Sequence, residues 1–212
     1  MGTRPDCLSP SKLDALLRAG AEAGVAEIWL ELGLQSAHDA TLARVNRGHT
    51  AACAAKAVAE AAGRGLLICG HLMAGLPGEG EAELEELCVF LRETKIERAG
   101  VFPFSPEEGT RAAQMDHVDA EEARRRAELV VDVQSDIIDG YNASLLGTER
   151  EVLCEGFDGQ AQMCFGRSYA ESPDIDGRIW FEADRDVEPG TFVTVRLTGV
   201  MDGELTGELV EE

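Results

Sequence analysis

The sequence predicts an α/β fold followed by a small all-β barrel. Over the first 115 residues, short apolar runs alternate with amphipathic segments, a pattern typical of β-α units around a parallel sheet. After residue 147 the helical periodicity ends. Short apolar runs separated by Gly, Asp and Pro clusters then predict an OB-like barrel. We therefore expect two domains, at 1–147 and 148–212.

The first helix illustrates how the elements of the first domain are predicted. Leu13, Leu16 and Leu17 recur at helical spacing, and Ser9 or Ser11 can cap the amino terminus. Continuous apolar runs bounded by Gly or Pro are typical of buried strands, and amphipathic runs between them are typical of helices. These patterns predict strands at 28–34, 66–73 and 99–104 and helices at 50–63, 81–94 and 121–146.

The second domain is predicted from strand patterns alone. Turn-forming clusters of Gly, Asp and Pro separate the apolar runs. The predicted strands lie at 152–153, 178–181 and 191–197.

The charge balance favours a basic partner. Nineteen basic residues stand against forty acidic ones, giving a net charge of −21, of which residues 148–212 contribute −11. Proteins that hold nucleic acid through phosphates normally present a basic patch, so nucleic-acid binding is not expected. A basic partner should be attracted, and salt should weaken that attraction. A role of the acidic residues in solubility alone remains open.

The cysteines and the hydropathy pattern indicate a cytoplasmic protein. The six cysteines form no C-x-x-C pair and no zinc-finger spacing, which favours reduced, half-buried thiols. No 18-residue apolar run and no amino-terminal h-region occur, so neither a membrane span nor a cleaved signal is expected.

Polar residues follow the predicted strands where a parallel sheet binds ligands. Gln35 and His71 can hydrogen-bond hydroxyl groups, and Arg47 can hold a carboxylate. Gly75 and Gly78 would let the backbone approach a flat ligand. Each also has a simpler interpretation, as a half-buried polar residue or as part of an ordinary turn.

Several ordered motifs in the first domain resemble the later strands of a radical S-adenosylmethionine enzyme. They are GTRPDC at 2–7, ELGLQSAHD at 31–39, NRGH at 46–49 and GLPGE at 75–79. The resemblance implies a partial (βα) barrel that binds S-adenosylmethionine. It places Gln35, Arg47 and His71 at the ribose and methionyl end, and the backbone near Met73 and Phe102 at the adenine.

A second resemblance, over about residues 97–212, is to the methylthiotransferase branch of that family. Its motifs are ERAGVFPFSPEEGT at 97–110, GRSYA at 166–170 and PDIDG at 173–177, the last two similar to a TRAM domain. Within the branch, the ribosomal protein aspartate methylthiotransferases are most similar, which implies a basic ribosomal protein as partner. A tRNA methylthiotransferase and a non-catalytic protein-binding module remain alternatives.

The sequence also departs from the family pattern. Such enzymes hold a [4Fe–4S] cluster with a C-x-x-x-C-x-x-C motif, which does not occur here. We therefore assign no metal ligand and no catalytic residue, and expect the chain to be inactive alone. It resembles the carboxyl-terminal part of a longer enzyme, beginning at the third barrel strand. Residues 1–79 resemble another radical S-adenosylmethionine subfamily, so a hybrid of two subfamilies or a gene-model join remains open.

Overall fold

The computed structural model describes residues 1–25, 27–171 and 177–210. The chain divides into two compact units, Met1–Ile137 and Ile138–Glu212. This division is based on contacts within the chain. It does not test the domain boundary near residue 147, which stays a prediction.

The first unit is built on four parallel strands and their helices. The strands are β1 (Gly2–Thr3), β2 (Trp29–Gln35), β3 (Leu67–Ala74) and β4 (Arg98–Pro103). The helices are α1 (Pro10–Glu22), α2 (Asp39–Arg44), α3 (Ala51–Ala62), α4 (Glu81–Thr94) and α5 (Ala120–Leu145), the last of which runs on into the second unit.

The sheet has the order β1-β2-β3-β4, and every pairing is parallel. Side chains alternate along the strands, so Leu30, Leu32 and Leu34 of β2 are fully buried. They pack into a core with Leu13 of α1 and Leu91 of α4. Residues between the buried ones point to the opposite side of the sheet, which we call the open face.

The helix ends follow the predicted capping chemistry. Ser9 caps α1 by accepting a hydrogen bond from the Lys12 N–H over 3.4 Å, and Pro10 is its first residue. Thr50 caps α3 in the same way toward Cys53, over 3.1 Å. The predicted cap of α1 is confirmed, the cap of α3 was not predicted, and the larger elements of this unit agree with prediction to within about two residues. Strand β1 and helix α2 were not predicted, because two and six residues are too short to show periodicity.

The second unit contains a closed barrel in the order β5-β6-β7-β9-β8. Its strands are β5 (Glu149–Asp158), β6 (Met163–Arg167), β7 (Ile179–Glu182), β8 (Phe192–Met201) and β9 (Glu204–Leu209). The core is filled from alternate positions, with Phe181 as its largest fully buried side chain. The predicted barrel is confirmed, although sequence patterns found only three of its strands.

Strands β6 and β9 were missed because each contains a glycine, Gly166 and Gly207. Glycine weakens a strand pattern, yet both positions require it. A Cβ at either would overlap a carbonyl oxygen, of Leu153 or of Arg196. Of the PDIDG motif, residues 173–176 lie outside the described residues.

Candidate functional site

The open face carries a group of polar residues around Gly33, near the carboxyl end of β2. The register of β2 against β3 shifts between Gly33 and Gln35, and Gln35 adopts a φ of 71°. Residues other than glycine rarely adopt this left-handed backbone conformation. A Cβ at Gly33 would lie 3.0 Å from Arg47 Nη2 and 3.3 Å from Gln35 Nε2. The two side chains therefore flank the bare Cα of Gly33.

Arg47 reaches this place because of the way α2 ends. Asn46 adopts a φ of 58°, and the Arg47 N–H donates to the Leu42 carbonyl over 2.8 Å. This 6→1 bond reverses the chain after the helix. The Arg47 Nη2 then donates to the Gly33 carbonyl over 2.7 Å. Its Nε is buried and has no hydrogen-bond partner in the described part of the chain.

The charge around Arg47 is suited to an anion. Burial, and then the nearby Arg4 guanidinium, lower the pKa of Arg47, while Asp6 opposes this. Arg4 is itself paired with Asp6, whose Oδ2 lies 2.7 Å from its Nη2. The lowered pKa means that the site penalises the unpaired positive charge of Arg47. A negative charge beside the guanidinium would relieve that penalty.

His71, Met73 and Phe102 continue the open face on the neighbouring strands. His71 is the Cα partner of Gly33 on one side and of Gly100 on the other. Met73 is the partner of Phe102. The His71 and Phe102 rings meet edge to face with centroids 6.1 Å apart, and the Phe102 side chain is 54% exposed. The structure thus places all five candidate residues on one face of the sheet, while their roles stay a prediction.

Two residues of the site were not singled out from the sequence. Gly33 allows Gln35 and Arg47 to approach, and His49 is buried with its Nε2 3.3 Å from the Gly33 carbonyl oxygen. Both lie within motifs that were recognised. The short spacing between Arg47 and His49 was the available signal, but the convergence of both side chains on one carbonyl depends on the turn after α2.

The glycine-rich turn at 75–79 packs against the chain itself. A Cβ at Gly75 would lie 2.8 Å from Val118 Cγ2 and 3.0 Å from the Cβ of Ala123, and one at Gly78 would overlap the Arg44 guanidinium. Glu79 closes the turn, accepting from the Ser36 hydroxyl over 2.7 Å and from the Leu76 N–H over 3.0 Å. The chain itself therefore fills the Cβ positions of both glycines, and the approach of this backbone to a flat ligand stays a prediction.

Replacing Gly75 with alanine tests this packing. Gly75 has a φ of +82°, and its neighbours include the backbone of Ala123 at 3.2 Å. We expect Gly75→Ala to lower the free energy of unfolding by about 2 kcal/mol more than Gly65→Ala does. Gly65 is the matched control, because it also has a positive φ, of +75°, with nothing within 4 Å of its Cβ position. Equal losses in denaturant titrations would show that the turn is not tightly packed.

No metal centre is found in the part of the chain that the structure describes. Within residues 1–25, 27–171 and 177–210, no group of three or more His, Cys, Asp or Glu side chains is arranged to hold a metal ion. The six cysteines are all free thiols.

Comparisons with protein families match both units. Residues 1–91 match the radical SAM superfamily, and residues 146–210 match the TRAM domain. The two matches cover separate segments of the chain, one in each unit. The recognition of both motif sets is thereby confirmed. Radical SAM enzymes as a family use S-adenosylmethionine and a [4Fe–4S] cluster.

The chain is also similar to curated proteins named ribosomal protein uS12 methylthiotransferase RimO. The relative from Desulforudis audaxviator is 43% identical over 174 residues, covering 81% of this chain and 38% of its own length. That from Symbiobacterium thermophilum is 39% identical over 188 residues, covering 86% and 39%. The chain thus spans about two fifths of the length of these relatives. The resemblance of residues 1–79 to another radical S-adenosylmethionine subfamily stays a prediction.

Solved structures agree at the level of the fold. Coproporphyrinogen III oxidase from Escherichia coli, a radical SAM enzyme, aligns with a TM-score of 0.54 and 18% identity, covering 64% of this chain and 31% of that one. An archaeal Elp3 from Methanocaldococcus infernus aligns with a TM-score of 0.51 and 15% identity, covering 97% and 64%. These values support the radical SAM fold. In the described ranges no helix is long and apolar enough to cross a membrane.

Proposed function

We propose that this chain supplies the S-adenosylmethionine-positioning face and the partner-binding domain of a uS12 methylthiotransferase, which modifies an aspartate of that ribosomal protein. The observation that carries the proposal is the buried, unpartnered Nε of Arg47 beside Gln35 and Gly33. The similarity to proteins named uS12 methylthiotransferase supports the substrate. A cytoplasmic location is part of the proposal, because a ribosomal protein is its substrate.

The residues of the open face fit S-adenosylmethionine. When bound, S-adenosylmethionine supplies the radical chemistry after which the superfamily is named. Arg47 would hold its carboxylate with its guanidinium, because a guanidinium pairs with carboxylates at defined geometry. Gln35 and His71 would hydrogen-bond hydroxyl groups of the ribose, and Met73 and Phe102 would pack against the adenine ring.

The residues do not fit the [4Fe–4S] cluster in the same way. Its three-cysteine motif is not present in the sequence, and the cysteines in the radical SAM segment stand at 7, 53, 69 and 88. This observation favours a second candidate function, a binding module without catalysis of its own.

The partner is proposed from charge. The residues from 148 onward carry five arginines and sixteen acidic residues. An RNA-binding barrel needs a basic groove, so the acidic domain supports a basic ribosomal protein over tRNA as the bound partner. A tRNA methylthiotransferase would need those five arginines to form a continuous basic face.

Two binding measurements on the full chain test the proposal. Equilibrium dialysis with S-adenosylmethionine is expected to show saturable binding that adenosine competes for. Calorimetry with purified uS12 and with tRNA, each at low and moderate salt, is expected to show salt-weakened binding to uS12 alone. Binding to tRNA in place of uS12 would move the chain to the tRNA-modifying branch. If the chain binds uS12 but does not bind S-adenosylmethionine, the result favours the non-catalytic module.

A further inference from the structure

We propose that an aromatic patch on the outside of the TRAM barrel binds arginine or lysine side chains of the protein partner. The patch consists of Phe165 on β6, Trp180 on β7 and the carboxylate of Glu204 on β9. The inference rests on the proposed function for the identity of the partner, and it adds the surface and the type of contact.

The two rings of the patch are placed outside the barrel by strand alternation. Their sequence neighbours Cys164, Ile179 and Phe181 are buried in the barrel core. Phe165 and Trp180 are Cα partners across β6 and β7, and their ring centroids lie 5.6 Å apart at an angle of 54°. Both side chains are half-buried, so they form a continuous apolar surface that water still reaches.

The tryptophan of the patch is held in a defined orientation. Its Nε1–H donates to Glu204 Oε2 over 2.5 Å, and the other oxygen of that carboxylate accepts from the Arg178 N–H over 2.8 Å. An indole N–H that is shielded from water needs a hydrogen-bond partner, and here the half-buried carboxylate of Glu204 provides it. The negative charge therefore lies at the edge of the indole ring, next to the surface that a cation would approach.

The barrel itself shows that this patch accepts a guanidinium. The Cζ of Arg178 lies over the Phe165 ring, 4.4 Å from its centroid. This is the geometry of a cation–π contact. The Trp180 ring has no such cation above it in the described part of the chain, and tryptophan is the better acceptor of the two.

The charges around the patch also call for a cation. Glu182 and Glu208 are exposed Cα partners on β7 and β9, and like charges at such positions repel each other. Arg196 is the partner of Glu208 on β8, but its guanidinium pairs with Glu149 over 2.8 Å. A positively charged side chain between Trp180 and this pair would relieve the repulsion. Phosphate oxygens would meet the same carboxylates, so stacked nucleotides fit the patch less well than a basic protein segment does.

The test uses the full chain and a fluorescent report from Trp180 itself. Trp29 is the other tryptophan of the chain, so Trp29→Phe leaves Trp180 as the single tryptophan whose emission is followed. In this background we titrate an octa-arginine peptide, and separately a single-stranded RNA oligonucleotide. We expect octa-arginine to change the emission of Trp180 and to bind roughly tenfold more weakly to Trp180→Leu, measured by calorimetry. Phe192→Leu is the matched control, because Phe192 is a 64% exposed aromatic residue on β8, and its affinity should be unchanged.

The other outcomes contradict either the inference or the proposed function, and they tell the two apart. Equal affinities of Trp180→Leu and Phe192→Leu, or no binding of octa-arginine, would show that the patch does not hold cations. Binding of RNA that requires Trp180 would assign the patch to nucleic acid. Octa-arginine binding through Trp180 without any binding of uS12 would leave the inference standing and contradict the partner in the proposed function. If Trp180→Leu binds uS12 as tightly as the parent chain does, the inference is contradicted and the partner in the proposed function stands.

Discussion

Replacing Arg47 with methionine is expected to weaken S-adenosylmethionine binding roughly 10- to 100-fold. Methionine keeps much of the length of the arginine side chain but removes every donor. The hydrogen bond from Nη2 to the Gly33 carbonyl and the free Nε are both lost. A hydrogen bond to a charged group contributes about 1.5–3 kcal/mol, which corresponds to the expected loss in affinity. Equilibrium dialysis of the variant against wild type measures it.

Two further variants separate recognition from general loss of charge or structure. Arg18→Met removes an exposed arginine of α1 and should leave the affinity unchanged. Arg47→Lys keeps the charge but not the forked geometry, and should recover only part of the binding. If Arg47→Met binds S-adenosylmethionine as wild type does, with an unchanged unfolding midpoint, Arg47 does not hold the ligand.

Replacing Gly166 with alanine is expected to lower the free energy of unfolding of the TRAM barrel by about 3 kcal/mol or more. A Cβ at Gly166 would overlap the Leu153 carbonyl oxygen and would lie 2.9 Å from Val152 Cγ1. These neighbours are backbone and core atoms of the paired strand β5, so they can move only if the β5–β6 pairing is disturbed. Urea unfolding followed by circular dichroism measures the loss.

The matched control is Gly159→Ala, in the turn between β5 and β6. Gly159 has no atom within 4 Å of its Cβ position, so its unfolding midpoint should stay close to that of wild type. A Gly166→Ala variant as stable as Gly159→Ala would mean that the two strands are further apart than the structure places them.

Local chemistry in the sequence was sufficient to predict most of the α/β unit. The cap of α1 at Ser9 and the apolar runs of β2 and β3 are recorded within short windows of sequence, and the structure confirms them. The motifs that resemble radical SAM and TRAM proteins are also linear, so both comparisons could be expected from the residues alone. The acidic charge of the second domain is a property of composition and needs no coordinates.

Other features depend on contacts between residues that are distant in sequence. The requirement for Gly166 follows from the Leu153 carbonyl, thirteen residues earlier, and was invisible to a strand pattern that glycine only weakens. Likewise, the sequence did not show that Val118, Ala123 and Arg44 fill the space at the Cβ positions of Gly75 and Gly78.

The sequence by itself thus determined most elements of the α/β unit, the family resemblance and the charge of this protein, because propensity, capping and composition act over a few residues. Only the tertiary structure decided that Gln35 and Arg47 meet over Gly33, since this depends on the left-handed Asn46 and the bulge in β2. It also decided that Phe165 and Trp180 share one outer surface, because that requires the register of two strands to be known.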